Sequence, residues 1–233
     1  MFSSWFLEFL LVQFWYICLV IGGLFLIFEG FLPVVFGTQR KIRENMHDFV
    51  YYQFGRSVFA LVFGILMVVL YVSFDVKMGL IDITQFSLFS QVLILFFCSE
   101  FCIYVAHMGA HKYRIPLLTR AHAFHHTVTT DMDWTNSRKE HLFVLAFFMA
   151  VYTFFFFVVF QSSSNSHVVT TTLYLLLNAL SHYRVHFSWK YLDQVFLFPR
   201  DHFRHHTERS GPYGVALSLF DTIFGTRGRE IHH

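Results

Sequence analysis

Charge is what this sequence has least of. Asp, Glu, Lys and Arg make up only 14% of its 233 residues, where soluble domains carry roughly a quarter. A chain so poor in charge cannot cover itself with a water-facing surface, and this excludes an ordinary soluble domain. Cysteine is also sparse: Cys18, Cys98 and Cys102 lie in apolar runs and form no Cys-x-x-Cys pair. That excludes a thiolate zinc site and a disulfide framework. Cys98 and Cys102 share a helix face and read as packing residues. There is no Gly-rich dinucleotide fingerprint, no low-complexity linker, and no internal repeat apart from histidine spacings. No nucleic-acid partner is expected. The N-terminus has neither the basic region nor the small-residue cleavage site of a signal peptide, so the first apolar run reads as a retained span.

What the chain has instead is hydrocarbon. It is 55% hydrophobic, and phenylalanine alone contributes 33 residues. A bilayer crossing takes about 20 predominantly apolar residues. Four runs meet this: Phe9 to Phe28, Ser57 to Phe74, Phe89 to Ala106 and Leu142 to Phe160. A fifth, Val168 to Leu180, is shorter and holds three threonines. It follows the polar break Gln161 to Ser166, which reads as a tight turn between antiparallel helices, and we count it as a crossing. The expected fold is an all-α polytopic membrane bundle of about five spans, with a cytoplasmic histidine-rich cap carrying a dinuclear metal site.

Five crossings place 29–56, 107–141 and everything after 181 on one side. Arg40, Lys41, Arg43, Arg56, Lys112, Arg114, Arg120, Arg138, Lys139, Arg184, Lys190 and the arginines from Arg200 to Arg229 all fall there, with Lys77 alone opposite. The positive-inside rule makes that side cytoplasmic, facing out of an endoplasmic reticulum membrane in a eukaryote or the inner membrane in a bacterium. The stretch 29–56, mixed in charge and aromatics, reads as an interfacial connector.

Ten histidines occupy four clusters on that same side: His107 and His111; His122, His125 and His126; His182 and His186; His202, His205 and His206. Residues four apart share a helix face, so each i,i+4 pair can aim at one centre. A lone pair would be read as ordinary surface or core histidine; two spacings, each used twice, argue against that. Ten imidazoles exceed the needs of one metal. Shared between two, they leave each an open position, and an all-nitrogen site at a membrane surface fits iron that activates O2. Zinc is the alternative occupant of a purified sample. The terminal His232 and His233 are set aside as a tag-like remnant, and His47 and His167 stand alone.

Ligating histidines usually give their second N–H to a carboxylate or carbonyl. The candidates are Glu100, Asp131, Asp133, Asp201 and Glu208. Glu100 stands two turns before His107 on the same face, inside an apolar span where an acid is expensive; its plainer reading is a helix-end acid reaching for water. Asn178, four before His182, can hydrogen-bond to the site or ligate at an open position. His141 begins a span, where an interfacial histidine is ordinary.

The run EFCIYVAHMGAH, then HAFHH, then HFRHH followed by PYGVALSLFDTIFGT, resembles the fatty acid hydroxylase/sterol desaturase superfamily, integral-membrane di-iron enzymes with three histidine boxes. The resemblance covers roughly residues 95–227. It includes Glu100, Tyr104, Asp221 and Gly225-Thr226. The family's Arg-x-His-Pro element departs here to Arg138-Lys139-Glu140-His141-Leu142. The resemblance implies two iron ions held by His107, His111, His122, His125, His126, His182, His186, His202, His205 and His206, and an O2-dependent hydroxylase or desaturase acting on a fatty acyl or sterol-like lipid. The HYRVH segment leans toward the fatty acid hydroxylase branch.

Such chemistry needs two electrons per turnover, and with no haem or flavin domain in the chain the donor must be a separate protein, cytochrome b5- or ferredoxin-like. Arginines 200, 204 and 209 offer it, or anionic headgroups, a basic face; the simpler reading of that face is the positive-inside signal. A histidine-rich metal-binding or transport protein is the alternative. It would place its ligands at the membrane midplane, whereas these clusters follow the spans. A b-type cytochrome needs isolated histidines and would show a Soret band. The chain divides into membrane spans and connector (1–88), a hydroxylase-like catalytic domain (89–227) and a tail (228–233).

Overall fold

The computed structural model describes residues 16, 18–38, 46–74, 77, 79–129 and 132–228. Asp131, Arg40, Lys41, Arg43, Arg229, His232, His233 and the first half of the first apolar run lie outside them.

The chain is mostly helical. Helix α1 runs Cys18–Phe36 and ends at Gly37, whose φ of 63° is the left-handed conformation that closes helices at low cost to glycine. A π-helical stretch, Phe49–Gly55, leads into α2, Arg56–Ser73. Helix α3 spans Leu88–His111, capped by the Ser87 hydroxyl on the Ser90 N–H. Short α4, Pro116–Ala123, begins with proline in its first turn, where no N–H is missed. Helix α5, Leu142–Thr153, continues as a π-helical run, Phe154–Val159. Helix α6 is Ser164–Ser181, α7 is Pro199–Glu208 and α8 is Leu219–Phe224.

Four helical segments are long and apolar enough to cross a bilayer: Cys18–Phe36, Met46–Met67, Leu88–His111 and Leu142–Val159. The fifth expected crossing, α6, has the length at 18 residues but is less apolar than these. Its path explains the difference. At the end remote from the histidines, Ile81–Asp82 (β1) pairs in parallel with Phe160–Gln161 (β2). Helices α3 and α6 both start beside this pair, and both end at histidines. Helix α6 therefore travels the height of the bundle, but it does so among other helices. Ala179, Leu175 and Leu176 pack with Leu24, Phe28 and Trp134, Leu173 and Leu177 pack around Phe96 and Leu217, and Tyr174 joins the cluster around Leu95, Ile103 and Tyr152. A helix sheathed in protein can carry Thr170 and Asn178 where a lipid-facing one would pay for them.

Two expectations about the N-terminal region are corrected. Among the described residues the first span continues past Phe28 and reaches Phe36. The stretch 29–56 is helical at both ends, and its Glu29, Gln53 and Arg56 are buried. Gln53 donates to the Trp134 carbonyl (2.7 Å), the Thr135 carbonyl (3.1 Å) and Ser137 Oγ (2.9 Å). Glu29 accepts from Trp134 Nε1 at 3.0 Å and pairs with Arg184, which also reaches Asp133 at 2.8 Å. Trp134 is fully buried and stacks on Phe28 with ring centroids 5.3 Å apart. These contacts fasten the first two helices to the loop that follows the second histidine cluster.

Candidate metal centre

Nine of the ten candidate histidines come together, in two groups: His107, His111, His122, His126 and His205; and His125, His182, His202 and His206. Within each group one nitrogen per ring lies within 4.8 Å of the others. Each HxxHH motif divides between the groups. His122 and His126 enter the first and His125 the second; His202 and His206 enter the second and His205 the first. Helical geometry accounts for this on α7. At about 100° per residue, i+4 sits roughly 40° to one side of i and i+3 roughly 60° to the other, so the outer pair shares a target and the middle ring points to its neighbour. The groups adjoin, with ring centroids of His126 and His206 4.6 Å apart and of His122 and His125 5.3 Å apart.

The inward nitrogens are Nε2. His126 Nε2 lies 3.0 Å from both His111 Nε2 and His122 Nε2, and His202 Nε2 lies 3.0 Å from His182 Nε2 and 3.2 Å from His206 Nε2. The Nε2 atoms of His107 and His205 are buried without a partner. Many outer nitrogens are held by backbone carbonyls: His107 Nδ1 on Tyr213 (2.8 Å), His125 Nδ1 on Lys139 (3.3 Å), His182 Nδ1 on Asn178 (2.9 Å), His205 Nδ1 on Ser210 (2.6 Å) and His206 Nδ1 on Val128 (2.8 Å). A carbonyl can only accept, so each of these rings carries its proton on Nδ1 and leaves the Nε2 lone pair facing inward. Burial, then repulsion from neighbouring rings, holds His122, His125, His202 and His205 well below the usual histidine range, and burial brings His206 to about 4. Neutral imidazoles, oriented and desolvated, are the form that binds a transition metal. The donor set fits metal ions.

His186 is the correction. Helix α6 stops at Ser181, so the i,i+4 relation to His182 is lost; His186 is exposed and lies against the Phe203 ring at 4.0 Å. The three polar candidates also act differently from expectation. Glu100 Oε2 bonds no histidine; it accepts from the N–H groups of Ala216 (3.1 Å) and Leu217 (3.2 Å). Asp201 pairs with Arg200 (3.3 Å) and Arg227 (3.2 Å). Asn178 serves His182 through its backbone carbonyl, and it lines the cleft beside His182. Glu208 accepts from Ser210. His141 is exposed and caps α5, accepting from the Phe143 N–H at 3.1 Å.

Sequence reasoning missed the carbonyl acceptors, which no residue type announces, and it missed a clamp. Asp221 accepts from the N–H groups of Tyr213 and Gly214, both at 2.7 Å, and from Thr226 Oγ1 at 2.7 Å; Thr226 in turn meets Tyr104 Oη at 2.8 Å. With Glu100 on Ala216 and Leu217, this fixes the loop whose Tyr213 carbonyl orients His107. Gly214 is required there, since a Cβ would stand 1.7 Å from the Leu217 carbonyl oxygen. The residues that carried the family resemblance beyond the histidines are the parts of this clamp.

A cleft opens onto the rings of His107, His122, His125, His182 and His202. Its walls are mainly apolar, including Val144, Phe147, Phe148, Leu118 and Val215, with Glu140 and Asn178 as the polar exceptions.

The fatty acid hydroxylase family profile matches residues 92–226. No curated protein and no solved structure matches the chain.

Proposed function

Because this chain belongs to the fatty acid hydroxylase family, we propose that it is a membrane-bound di-iron oxygenase that hydroxylates or desaturates a lipid. It uses O2 and electrons from a separate cytochrome b5- or ferredoxin-like protein. The observation that carries this reading is the pair of adjoining, buried histidine groups at the end of an apolar cleft. Iron held there by the clustered histidines would activate O2 for attack on an unactivated C–H bond, chemistry that no side chain possesses.

The chain's own residues do the rest. The Nδ1–carbonyl contacts keep the rings aimed, and the Asp221 and Glu100 clamp keeps the Tyr213 carbonyl in place under His107. Val144, Phe147 and Phe148 hold an alkyl chain against the site and exclude water, so that one carbon is presented repeatedly in the same place. A long-chain lipid is held in the bilayer, since carrying its chain through water costs about 0.8 kcal/mol per CH2. The substrate therefore enters laterally between helices. The histidine end lies on the cytoplasmic side, following the basic residues that cluster with it.

The test uses membranes containing the protein, a reducing system and isotopically heavy O2, with lipids profiled with and without the gene. A lipid gaining one heavy oxygen atom, or losing two hydrogens, only when the gene and O2 are both present supports the reading. Unchanged lipids alongside metal movement across the membrane would replace it with the transport reading.

A further inference from the structure

Helix α3 has a second face, which the metal centre does not use. Ala106, His107 and Ala110 turn toward the histidine cleft. Phe101, Val105, Met108 and Lys112 lie on the opposite side of the helix, three or four residues apart, and so form one stripe. From Phe101 to Lys112 the stripe runs about 16 Å at 1.5 Å per residue. Phe224 and Thr226, at the end of α8 and just after it, make the facing wall of a groove of about 360 Å³. Its floor is aromatic. Phe224 stacks on Tyr104 with ring centroids 5.8 Å apart, and meets Phe101 at 6.2 Å. Helix α3 is one of the four candidate spans, and Phe101, Val105 and Phe224 are exposed. Exposed side chains of a span meet hydrocarbon, so this groove opens to the bilayer. Its two ends differ. The Phe101 end is apolar. The histidine end carries the Lys112 ammonium, 5.8 Å from the Tyr113 ring centroid, with the Tyr113 hydroxyl beside it. Among the described residues Lys112 has no ion-pair partner, and no carboxylate lines the groove.

We propose that this groove binds an anionic phospholipid of the surrounding bilayer: one acyl chain lies along Phe101, Val105 and Phe224, and the phosphate accepts from Lys112 and Tyr113. The chemistry selects the class. Lys112 alone would be an ordinary cation at a helix C-terminus; an apolar slot aligned with it adds a place for the chain. A zwitterionic headgroup offers the same phosphate but brings its own cation, which competes with Lys112, whereas an anionic headgroup leaves the charge for Lys112 to meet. The occupant also has a structural consequence. Tyr104 and Thr226, whose hydroxyls meet at 2.8 Å, both line the groove. The lipid therefore covers, from the bilayer side, a link of the clamp that holds the Tyr213 loop. The site is separate from the cleft, and it stands whether or not the oxygenase reading does.

The test is native mass spectrometry of the full-length, metal-loaded protein released from nanodiscs of equal parts phosphatidylcholine and phosphatidylglycerol with the same acyl chains. One lysine meeting an anionic headgroup corresponds to about a fivefold preference, so retained phosphatidylglycerol should exceed phosphatidylcholine by about that factor. Lys112→Gln should bring the two lipids to within about twofold of each other. Lys190→Gln removes an exposed cation at the same end of the molecule but outside the groove, and it should leave the preference unchanged. Val105→Trp fills the groove and should release either lipid. Glycerol phosphate, the anion without its chains, should leave the retained lipid in place. Equal retention of the two lipids by the unaltered protein overturns the proposal. So does an equal loss of preference in Lys112→Gln and Lys190→Gln, which would show only the general attraction of a basic face. Retention of lipid by Val105→Trp, or its displacement by glycerol phosphate, overturns the groove as the place of binding. Metal content and melting temperature are measured on each variant; were Val105→Trp to misfold, the contrast between Lys112→Gln and Lys190→Gln, both at exposed positions, would decide.

Discussion

At the scale of single residues, the site is a matter of which nitrogen faces inward. Carbonyl acceptors at Tyr213, Lys139, Asn178, Ser210 and Val128 settle this for five rings, and no side-chain substitution at those five acceptor positions removes them directly. His186 has no such role: His186→Ala should leave bound metal unchanged, and a loss of metal on elemental analysis would return it to the ligand set. Glu140 allows a prediction in pH. Its folded value of about 7 lies above the ordinary 4.5, so the fold favours the protonated acid. That contribution is complete below about pH 4.5 and fades as pH rises through about 7. Glu140→Gln should therefore melt like the original protein near pH 4 and be more stable by roughly 1–3 kcal/mol near pH 8. An advantage that grows toward acid would contradict the burial argument. The convergence of nine histidines was legible in the sequence because their spacing repeats. The tenth misled because an i,i+4 pair means one face only while the helix lasts, and α6 ends one residue before His182. Glu100 and Asp201 find other partners for a related reason: spacing along one helix cannot reveal a backbone N–H donor or an arginine that arrives from more than 20 residues away.

At the scale of elements, the histidines are supported by two fastenings that local pattern could not show. One is the clamp of Asp221, Thr226, Tyr104 and Glu100 on the loop carrying Tyr213. Asp221→Ala frees two buried N–H groups, each worth about 1–3 kcal/mol when left unmet. It should lower metal affinity at the five-histidine group first, because His107 depends on that loop. Titration with a chelator should show one population of metal lost early and one retained; uniform loss would mean that the loop supports both groups equally. The other fastening is Trp134 against Phe28, with Phe25 and Phe49 on its edges. It holds the helical ends of the segment before residue 56, at Phe28 and Phe49, against the loop at Trp134. Glu29, one of the charged residues of that stretch, finds buried partners across the bundle.

At the scale of the whole molecule, four segments of the described residues meet the apolar standard for a span, and the histidine end requires α6 to return along the bundle beside them. The fifth crossing was expected because the histidine clusters had to meet; α6 is less apolar than the four candidate spans and packs among neighbouring helices. Reporter fusions placed after Phe74 and after Ser164 should both read the side opposite the histidines, and a fusion after Thr226 the cytoplasmic side. A cytoplasmic reading after Ser164 would turn α6 into a helix lying on the membrane and break the arrangement that brings His182 to His202.

The central claim is that two adjoining histidine groups hold two metals, and the iron bound per chain tests it most directly. Protein loaded with ferrous iron in nanodiscs and measured by elemental analysis should carry about two ions, as two groups of five and four imidazoles require. His107→Ala combined with His111→Ala should bring it to about one, since both rings belong to the five-histidine group. A reproducible value near one in the unaltered protein, left unchanged by that double substitution, would contradict the account.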